Sequence, residues 1–351
     1  MAERKPMTKF AIALGLSALG GALWASLGLP LGWLMGAALV TGALAMSGWT
    51  IDIHKLPHRA GLIVIGSSVG LTLTPDIALR MVAWLPMMLL VAALGIVAAA
   101  ACAPLLARVG RMSLSTAYFS LLPGGVIEMA RIGESHGADR TIIAALHAVR
   151  VALVVGLLPL VLLGLLPSDA AAATEGATAA WPQLLLALAV GTLGGWLGTK
   201  AGLPAAWLLG AVLAVGAVAA SGAVGGRMPS EPLAAAQVVV GMALGARFQR
   251  DRLAAIPRAL AAGLPVLLGI IVVMAAAAAL ATIWTGQSVA SMVLAFSIGG
   301  MAEMVLTAKA LHQDVALVAA FQALRGVAVN AAAGSVWRIL DARLSRRRGR
   351  D

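Results

Sequence analysis

The chain has few charged residues: only 11% of its 351 residues are Asp, Glu, Lys or Arg, whereas 61% are hydrophobic. Soluble domains typically contain about 25% charged and about 45–50% apolar residues. A soluble fold of this composition would lack the polar side chains that must cover its surface. The composition therefore excludes an ordinary soluble domain and predicts a protein that lies almost entirely in a membrane.

Residues that hold metals or form disulfides are also scarce. Cys102 is the one cysteine in the chain, which excludes an intramolecular disulfide and a cysteine metal cluster. His54 and His58 are four residues apart, but Pro57 lies between them and no acidic or cysteine partner is near. P-loop, Rossmann and nucleophile-elbow patterns are missing as well. The sequence predicts no metal site, no cofactor and no enzymatic activity.

Long apolar runs are abundant, and residues 81–107 and 141–167 are two of them. Runs longer than about 18 apolar residues indicate membrane-spanning helices. The net charge of +11 is explained by basic loops on the cytoplasmic side of a membrane, so we expect no direct contact with nucleic acid. The basic and then apolar N-terminus looks like a signal peptide, but the internal repeat argues against its removal.

The sequence contains two copies of one unit. Residues 19–42 match residues 193–216 at an offset of 174, and later matches follow at an offset of 175. The first apolar segment has a partner near 182–203, so it is predicted to be part of the fold rather than a targeting signal. The most informative matches pair Gly124, Gly125, Glu128, Met129, Asp139 and Arg150 with Gly299, Gly300, Glu303, Met304, Asp314 and Arg325.

The fifth of six apolar segments in each copy is broken by Gly-Gly, at 113–134 and 288–310. Five crossings per copy would invert the second copy. With the N-terminus inside, 20 of the 25 Lys and Arg residues fall on the inner side and three on the outer side, in agreement with the positive-inside rule.

The sequence therefore predicts an all-α polytopic membrane protein with about ten transmembrane helices and two broken or re-entrant helices. Its predicted parts are a first membrane repeat (8–166), an extracytoplasmic linker (167–180), a second, inverted membrane repeat (181–337) and a basic cytoplasmic tail (338–351).

The doubled Gly-Gly motif carries the candidate chemistry. Gly124 and Gly125 follow a proline, so a helix should stop there and a new one begin, with Glu128 in its first turn. Free N–H groups at a helix start favour a carboxylate. If the copies are inverted, the two helix starts face each other, and the two glutamates can bind a cation or carry a proton. The alternative is that each glutamate caps its own helix or pairs with an arginine.

Arginines and a histidine follow in the last helix of each copy. Arg150 and Arg325 have the same spacing from Glu128 and Glu303, and an arginine near the membrane centre needs a partner. The glutamates are the predicted partners, in a structural salt bridge or beside a bound anion. His147, one helical turn before Arg150, is a candidate for a proton relay or a hydrogen-bonded core residue. Predicted site residues are Gly124, Gly125, Glu128, His147, Arg150, Gly299, Gly300, Glu303 and Arg325.

The doubled motif, Leu-Pro-Gly-Gly-x-x-Glu-Met in the first copy and Gly-Gly-x-x-Glu-Met in the second, resembles the AbrB family of bacterial membrane proteins. This "AbrB duplication" family is also labelled as ammonia monooxygenase or as AbrB family transporter. It looks like a distant relative of the cation–proton antiporters and anion transporters. The resemblance, which covers roughly residues 10–340, implies transport, gene regulation or oxygenase activity, depending on the label.

Transport best explains the duplication, the inversion, the helix breaks and the buried charges together. We expect alternating access for a small organic solute or ion, coupled to H⁺ or Na⁺. The alternatives are a membrane sensor that affects gene expression indirectly and, least favoured, a monooxygenase. We expect a multi-pass protein of the bacterial inner membrane with both termini in the cytoplasm, in contact with lipid. A homo-oligomer is compatible with the sequence.

Overall fold

The computed structural model describes residues 6–73, 82–165, 178–254 and 256–348. Asp76 and most of the predicted linker 167–180 lie outside these ranges. Most of the described residues are α-helical, and none of the described elements is a strand. The helices of the first copy are α1 (Pro6–Ser26), α2 (Gly32–Met46), α3 (Lys55–Gly70), α4 (Leu85–Gly110), α5 (Leu114–Leu121), α6 (Val126–Glu134) and α7 (Arg140–Leu165).

The second copy repeats this order of helices, and its short helix α11 corresponds to residues 75–79 of the first copy, which lie outside the described ranges. Its helices are α8 (Trp181–Lys200), α9 (Ala206–Ala220), α10 (Ser230–Gly245), α11 (Arg250–Ala254), α12 (Pro257–Thr285), α13 (Val289–Phe296), α14 (Met301–Ala310) and α15 (Val315–Arg348).

Six of these helices are long and apolar enough to cross a membrane, namely α1, α4, α7, α8, α12 and α15. The other four segments predicted to cross, α2, α3, α9 and α10, have 15 or 16 residues. Such helices are about 22–24 Å long, which is less than the hydrocarbon core of about 30 Å. The chain is an all-α polytopic membrane protein in which α2, α3, α9 and α10 are shorter than the six long helices.

The two copies have opposite orientations. The helices α4 and α12 occupy equivalent positions in the two copies, and they pack antiparallel. Arg258, at the start of α12, donates from Nε to the carbonyl oxygen of Val109, at the end of α4, over 3.2 Å. At the opposite ends, Trp84 and Trp284 line one surface depression. An antiparallel pair of equivalent helices is the arrangement expected of inverted repeats.

The short helices of each copy pack against those of the other copy: α3 against α9, and α10 against α2. Gly66 of α3 lies against α9, where a Cβ atom would come within 2.6 Å of the Leu208 carbonyl oxygen. Its equivalent in the second copy, Gly241 of α10, lies equally close to the carbonyl of Leu34 in α2. These glycines therefore serve close helix packing, and the partner of each glycine belongs to the other copy.

The two Gly-Leu-Pro segments form equivalent turns. Gly28 and Gly202 have φ values of 68° and 69°, which side chains disfavour, and three residues later Leu31 and Ala205 have φ values of 57° and 45°. These left-handed residues precede α2 and α9 directly. The repeat seen in the sequence therefore extends to the backbone conformation of single residues.

The broken segments are re-entrant hairpins. The backbone N–H of Asp139, just before α7, donates to Oγ1 of Thr116 in the first turn of α5 over 2.9 Å. Asp314 donates to Oγ of Ser291 in the same way over 3.1 Å. Each hairpin thus begins and ends at the level where the next long helix begins. The first half-helix has eight residues, or about 12 Å, so each tip lies near half the membrane thickness.

The hairpins enter from opposite sides, because each follows the end of α4 or α12 and those helices are antiparallel. We call the end of the molecule with His58 and Arg258 the His58 side, and the opposite end, with Lys309, the Lys309 side. Hairpin α5–α6 enters from the His58 side, and hairpin α13–α14 enters from the Lys309 side. Helix α1 begins on the His58 side, where the rings of Phe10 and His54 are 6.1 Å apart.

Candidate functional site

The tips of the two hairpins meet at a cavity of about 280 Å³. Eight of the nine predicted site residues line this cavity, and four come from each copy. They are Gly124, Gly125, Glu128, Arg150, Gly299, Gly300, Glu303 and Arg325. The inversion therefore brings together residues that lie about half the chain apart in sequence.

Both arginines bind backbone carbonyls at the hairpin tips. Arg150 is 2% exposed, and its Nη1 and Nη2 donate to the carbonyl oxygens of Leu122 and Gly124 over 2.6 and 3.3 Å. Arg325 makes the equivalent bonds to Ser297 and, over 3.0 Å, to Gly299. The end of a helix leaves carbonyls unpaired and carries partial negative charge, which a guanidinium with five donors can satisfy.

The prediction that Glu128 and Glu303 are the partners of the arginines is therefore wrong. Neither arginine forms a salt bridge with Glu128 or Glu303, and the salt bridge between Arg140 and Glu134 lies at the exposed end of α6. In each copy the C-terminal end of the first half-helix supplies the partial negative charge that was expected from a carboxylate.

The glutamates lie at the starts of the second half-helices. A Cβ atom added to Gly125 would lie 2.9 Å from the carboxyl carbon of Glu128, and one added to Gly300 would lie 2.9 Å from that of Glu303. Each carboxylate is thus folded back over the N-cap glycine of its own helix, where the helix dipole favours negative charge. This placement agrees with the capping alternative, and it also leaves both carboxylates at the cavity.

The cost of one added methyl group depends on what the group meets. At Gly125 a Cβ atom would meet the far end of the flexible Glu128 side chain, which can move aside, so Gly125→Ala should change the melting temperature in detergent little. At Gly66 it would meet the backbone carbonyl oxygen of Leu208, which is fixed in α9, so Gly66→Ala should cost roughly 1–3 kcal/mol of stability. Gly269→Ala is the control, because a Cβ atom there meets nothing within 4 Å. Equal melting temperatures for all three variants would show that the close approach at Gly66 is not needed.

His147 does not line the cavity, unlike the other predicted site residues. Its Nε2 bonds the carbonyl oxygen of Phe119 at 3.0 Å, and its Nδ1 lies 3.4 Å from Nη2 of Arg150. Since a carbonyl must receive a proton and an arginine must give one, a neutral ring with the proton on Nε2 satisfies both bonds. The geometry is that of a buried residue that positions Arg150.

Gln322, the repeat equivalent of His147, does line the cavity. Its Nε2 donates to the carbonyl oxygens of Leu294 and Ser297 over 2.8 and 3.1 Å. Asp139 and Asp314 cap α7 and α15, because their Oδ1 atoms accept from backbone N–H groups of the first turn. Other cavity residues that the sequence argument did not select include His58, Pro204 and Arg247.

Several polar atoms at the cavity have no hydrogen-bond partner within the described part of the chain. They are Nε of Arg150, Nε of Arg325 and Oε1 of Gln322, all on side chains that are at least 96% buried. Buried polar atoms are usually satisfied. These three atoms have almost no accessible surface, so they lie behind the wall of the cavity rather than on it. No group of three or more His, Cys, Asp or Glu side chains in the described ranges could hold a metal ion.

Comparison with known proteins gives consistent matches along the chain. Residues 33–341 match a family described as "Transition state regulatory protein AbrB". The chain is 30% identical to the protein YhjN of Bacillus subtilis (strain 168), over 93% of this chain and 92% of that protein. It is 27% identical to the "Putative regulator AbrB" of Escherichia coli (strain K12), over 85% and 86% of the two chains. The match to the family model covers most of the residues, including both hairpins and the cavity between them, so this protein belongs to the AbrB family.

Proposed function

We propose that this AbrB-family protein is a secondary transporter that moves a small organic solute or ion across the membrane by alternating access. The observation that carries this proposal is the meeting of two inverted re-entrant hairpins at one charged cavity. Inverted repeats with interrupted helices, and a site near the midplane between them, are a recurrent plan of secondary transporters. Ionisable residues at such depth are costly, which favours a functional role for them.

The coupling ion is assigned to Glu128 and Glu303. Both carboxylates line the cavity, and neither forms a salt bridge with another described residue. Each is therefore able to take up a proton or to bind Na⁺ beside the solute. The basic residues concentrated on the His58 side assign that side to the cytoplasm of a bacterial inner membrane, with both chain termini there.

Access to the cavity is proposed to alternate between the two sides. On the His58 side, His58 and the exposed Arg247 line the cavity. On the Lys309 side, Nζ of Lys309 donates to Oγ of Ser68 and joins α14 to α3. In this proposal, the described form is the one open towards the His58 side, and the contact of Lys309 with Ser68 closes the other side.

Solute flux into liposomes tests the proposal. Purified protein is reconstituted with a pH-sensitive dye inside, and organic acids and amines are added outside with a proton or sodium gradient. We expect at least one solute class to move together with H⁺ or Na⁺ and to cause a dye or current signal that empty liposomes lack. Absence of flux for every class, with binding retained, would replace transport by sensing.

Sensing is the second candidate, because the family description and the name of the Escherichia coli relative refer to regulation. A sensor would bind its solute in the same cavity and change gene expression indirectly, since nearly all of the chain lies in helices that pack in the membrane. Binding without flux is the outcome that distinguishes the two functions.

A further inference from the structure

We infer that the solute of this cavity is a small organic anion with a carboxylate, and that it binds together with a proton. This inference rests on the proposed function, because it names the substrate class of the same site.

The cavity has a net positive charge, which comes from a residue that only the second copy contains. Its charged lining consists of three arginines and two glutamates, a formal charge of +1. Arg150 and Arg325 are repeat equivalents, and so are Glu128 and Glu303. The remaining charge is that of Arg247, whose equivalent in the first copy is the uncharged Thr72.

The arginines and glutamates that both copies share already interact with the half-helices of the hairpins. Each buried arginine bonds the carbonyls at the end of one half-helix, and each glutamate lies at the start of the next. Each hairpin tip thus has an arginine at the C-terminal end of its first half-helix and a glutamate at the N-terminal end of its second, and the helix dipoles favour both charges there. The asymmetric Arg247 is exposed at the mouth of the cavity, and no described residue forms a hydrogen bond or an ion pair with its guanidinium.

The charged hydrogen-bond donors of the cavity are arginines, and Arg247 presents a guanidinium without a partner at its mouth. Nε of Arg150 and Nε of Arg325 are further N–H groups without an acceptor, buried behind the cavity wall. Arginine donors match the oxygens of a carboxylate, and such charge-assisted bonds are stronger than neutral ones. An organic cation would instead meet a lining in which three arginines outnumber two glutamates. At about 280 Å³ the cavity suits a small molecule.

Protonation of the cavity is linked to anion binding through the net charge of the cavity. The titratable groups of the lining are Glu128, Glu303 and His58, which faces Arg247. When one of them takes up a proton, the cavity gains one positive charge, and an anion binds there more tightly. Linkage makes the effect reciprocal, so a bound anion also favours protonation. The anion and the proton therefore bind cooperatively, which is the thermodynamic basis of their joint movement.

Binding of lactate and pyruvate, which stay ionised at mildly acidic and mildly alkaline pH, tests this inference. We expect calorimetric titration in detergent to give tighter binding of at least one of them at the acidic pH. His58→Gln should keep this difference, and the Glu128→Gln, Glu303→Gln double variant should lose it. Equal affinities at the two pH values, or loss of the difference in His58→Gln, would overturn the assignment of the proton to the glutamates. Arg247→Thr copies the first repeat and is expected to weaken that binding about tenfold, the factor that corresponds to about 1.4 kcal/mol. Arg247→Lys should retain most of the affinity. Arg250→Thr, an exposed arginine that does not line the cavity, should leave it unchanged.

Choline and ethylammonium are the opposing probes. If an amine binds and moves in liposomes while both carboxylates fail to bind, transport stands and the anion assignment is wrong. If lactate or pyruvate binds but Arg247→Thr binds it as tightly as the wild type does, Arg247 does not determine the charge preference, and the inference is overturned. If neither class moves in liposomes, the proposed function itself fails.

Discussion

Replacement of both Glu128 and Glu303 by glutamine is expected to reduce proton- or sodium-driven solute uptake to the level of empty liposomes. Glutamine has nearly the same size as glutamate and keeps an oxygen that can face the helix start, so the hairpins should remain folded. It cannot carry a charge or release a proton, so the coupling ion loses its site. The melting temperature in detergent, measured on the same preparation, separates loss of coupling from loss of folding.

The single variants are expected to differ in effect. Glu303 is 7% exposed, whereas Glu128 is half-buried. A carboxylate withdrawn further from water interacts more strongly with ions and ligands, because the local dielectric constant is lower. We therefore expect Glu303→Gln to reduce coupled uptake more than Glu128→Gln does.

Glu134→Gln is the matched control for the glutamate variants. Glu134 lies at the far end of α6, is exposed, and forms a 3.7 Å salt bridge with Arg140. Exposed ion pairs contribute about 0–1 kcal/mol, so uptake by this variant should equal that of the wild type. If the Glu128→Gln, Glu303→Gln double variant also retains coupled uptake, the glutamates are helix caps only and the coupling ion binds elsewhere.

The hairpins could be predicted from the sequence because their signals are local. Gly-Gly inside an apolar run indicates a helix break, and a glutamate three residues later indicates a helix start, so the positions of α6 and α14 follow from single residues. The repeat then indicated that the two breaks belong together. The inversion followed from the distribution of Lys and Arg, which is a long-range property of the chain but is still visible in its composition.

The partners of Arg150 and the role of Arg247 could not be predicted in this way. Backbone carbonyls have no sequence signal, so the acceptors at Leu122 and Gly124 appear only when the hairpin is folded. Arg247 reaches the cavity because α3 and α10 pack antiparallel and bring the end of one beside the start of the other. Its one sequence signal is asymmetry: it is a charged residue where the first copy has Thr72.

Replacement of Arg150 by glutamine is expected to destabilise the protein by roughly 3 kcal/mol, since hydrogen bonds to a charged group contribute about 1.5–3 kcal/mol each. Two bonds, to the carbonyls of Leu122 and Gly124, hold the tip of the first hairpin to α7. A shorter neutral side chain cannot reach both. The melting temperature should fall by several degrees, whereas Arg140→Gln, on the exposed first turn of the same helix, should leave it nearly unchanged.

Arg150 and Arg325 line one cavity and carry the same charge, so their substitutions should not be additive. Removal of either arginine exposes two carbonyls but also relieves repulsion between the two guanidinium groups, which lowers the apparent cost. The second removal brings no such relief. The Arg150→Gln, Arg325→Gln double variant should therefore be less stable than the sum of the single effects indicates, and a double-mutant cycle measures the difference. A cost that is simply additive would mean that the two guanidinium groups are screened from each other by the hairpin carbonyls, and the cavity would then be less positive than its formal charge.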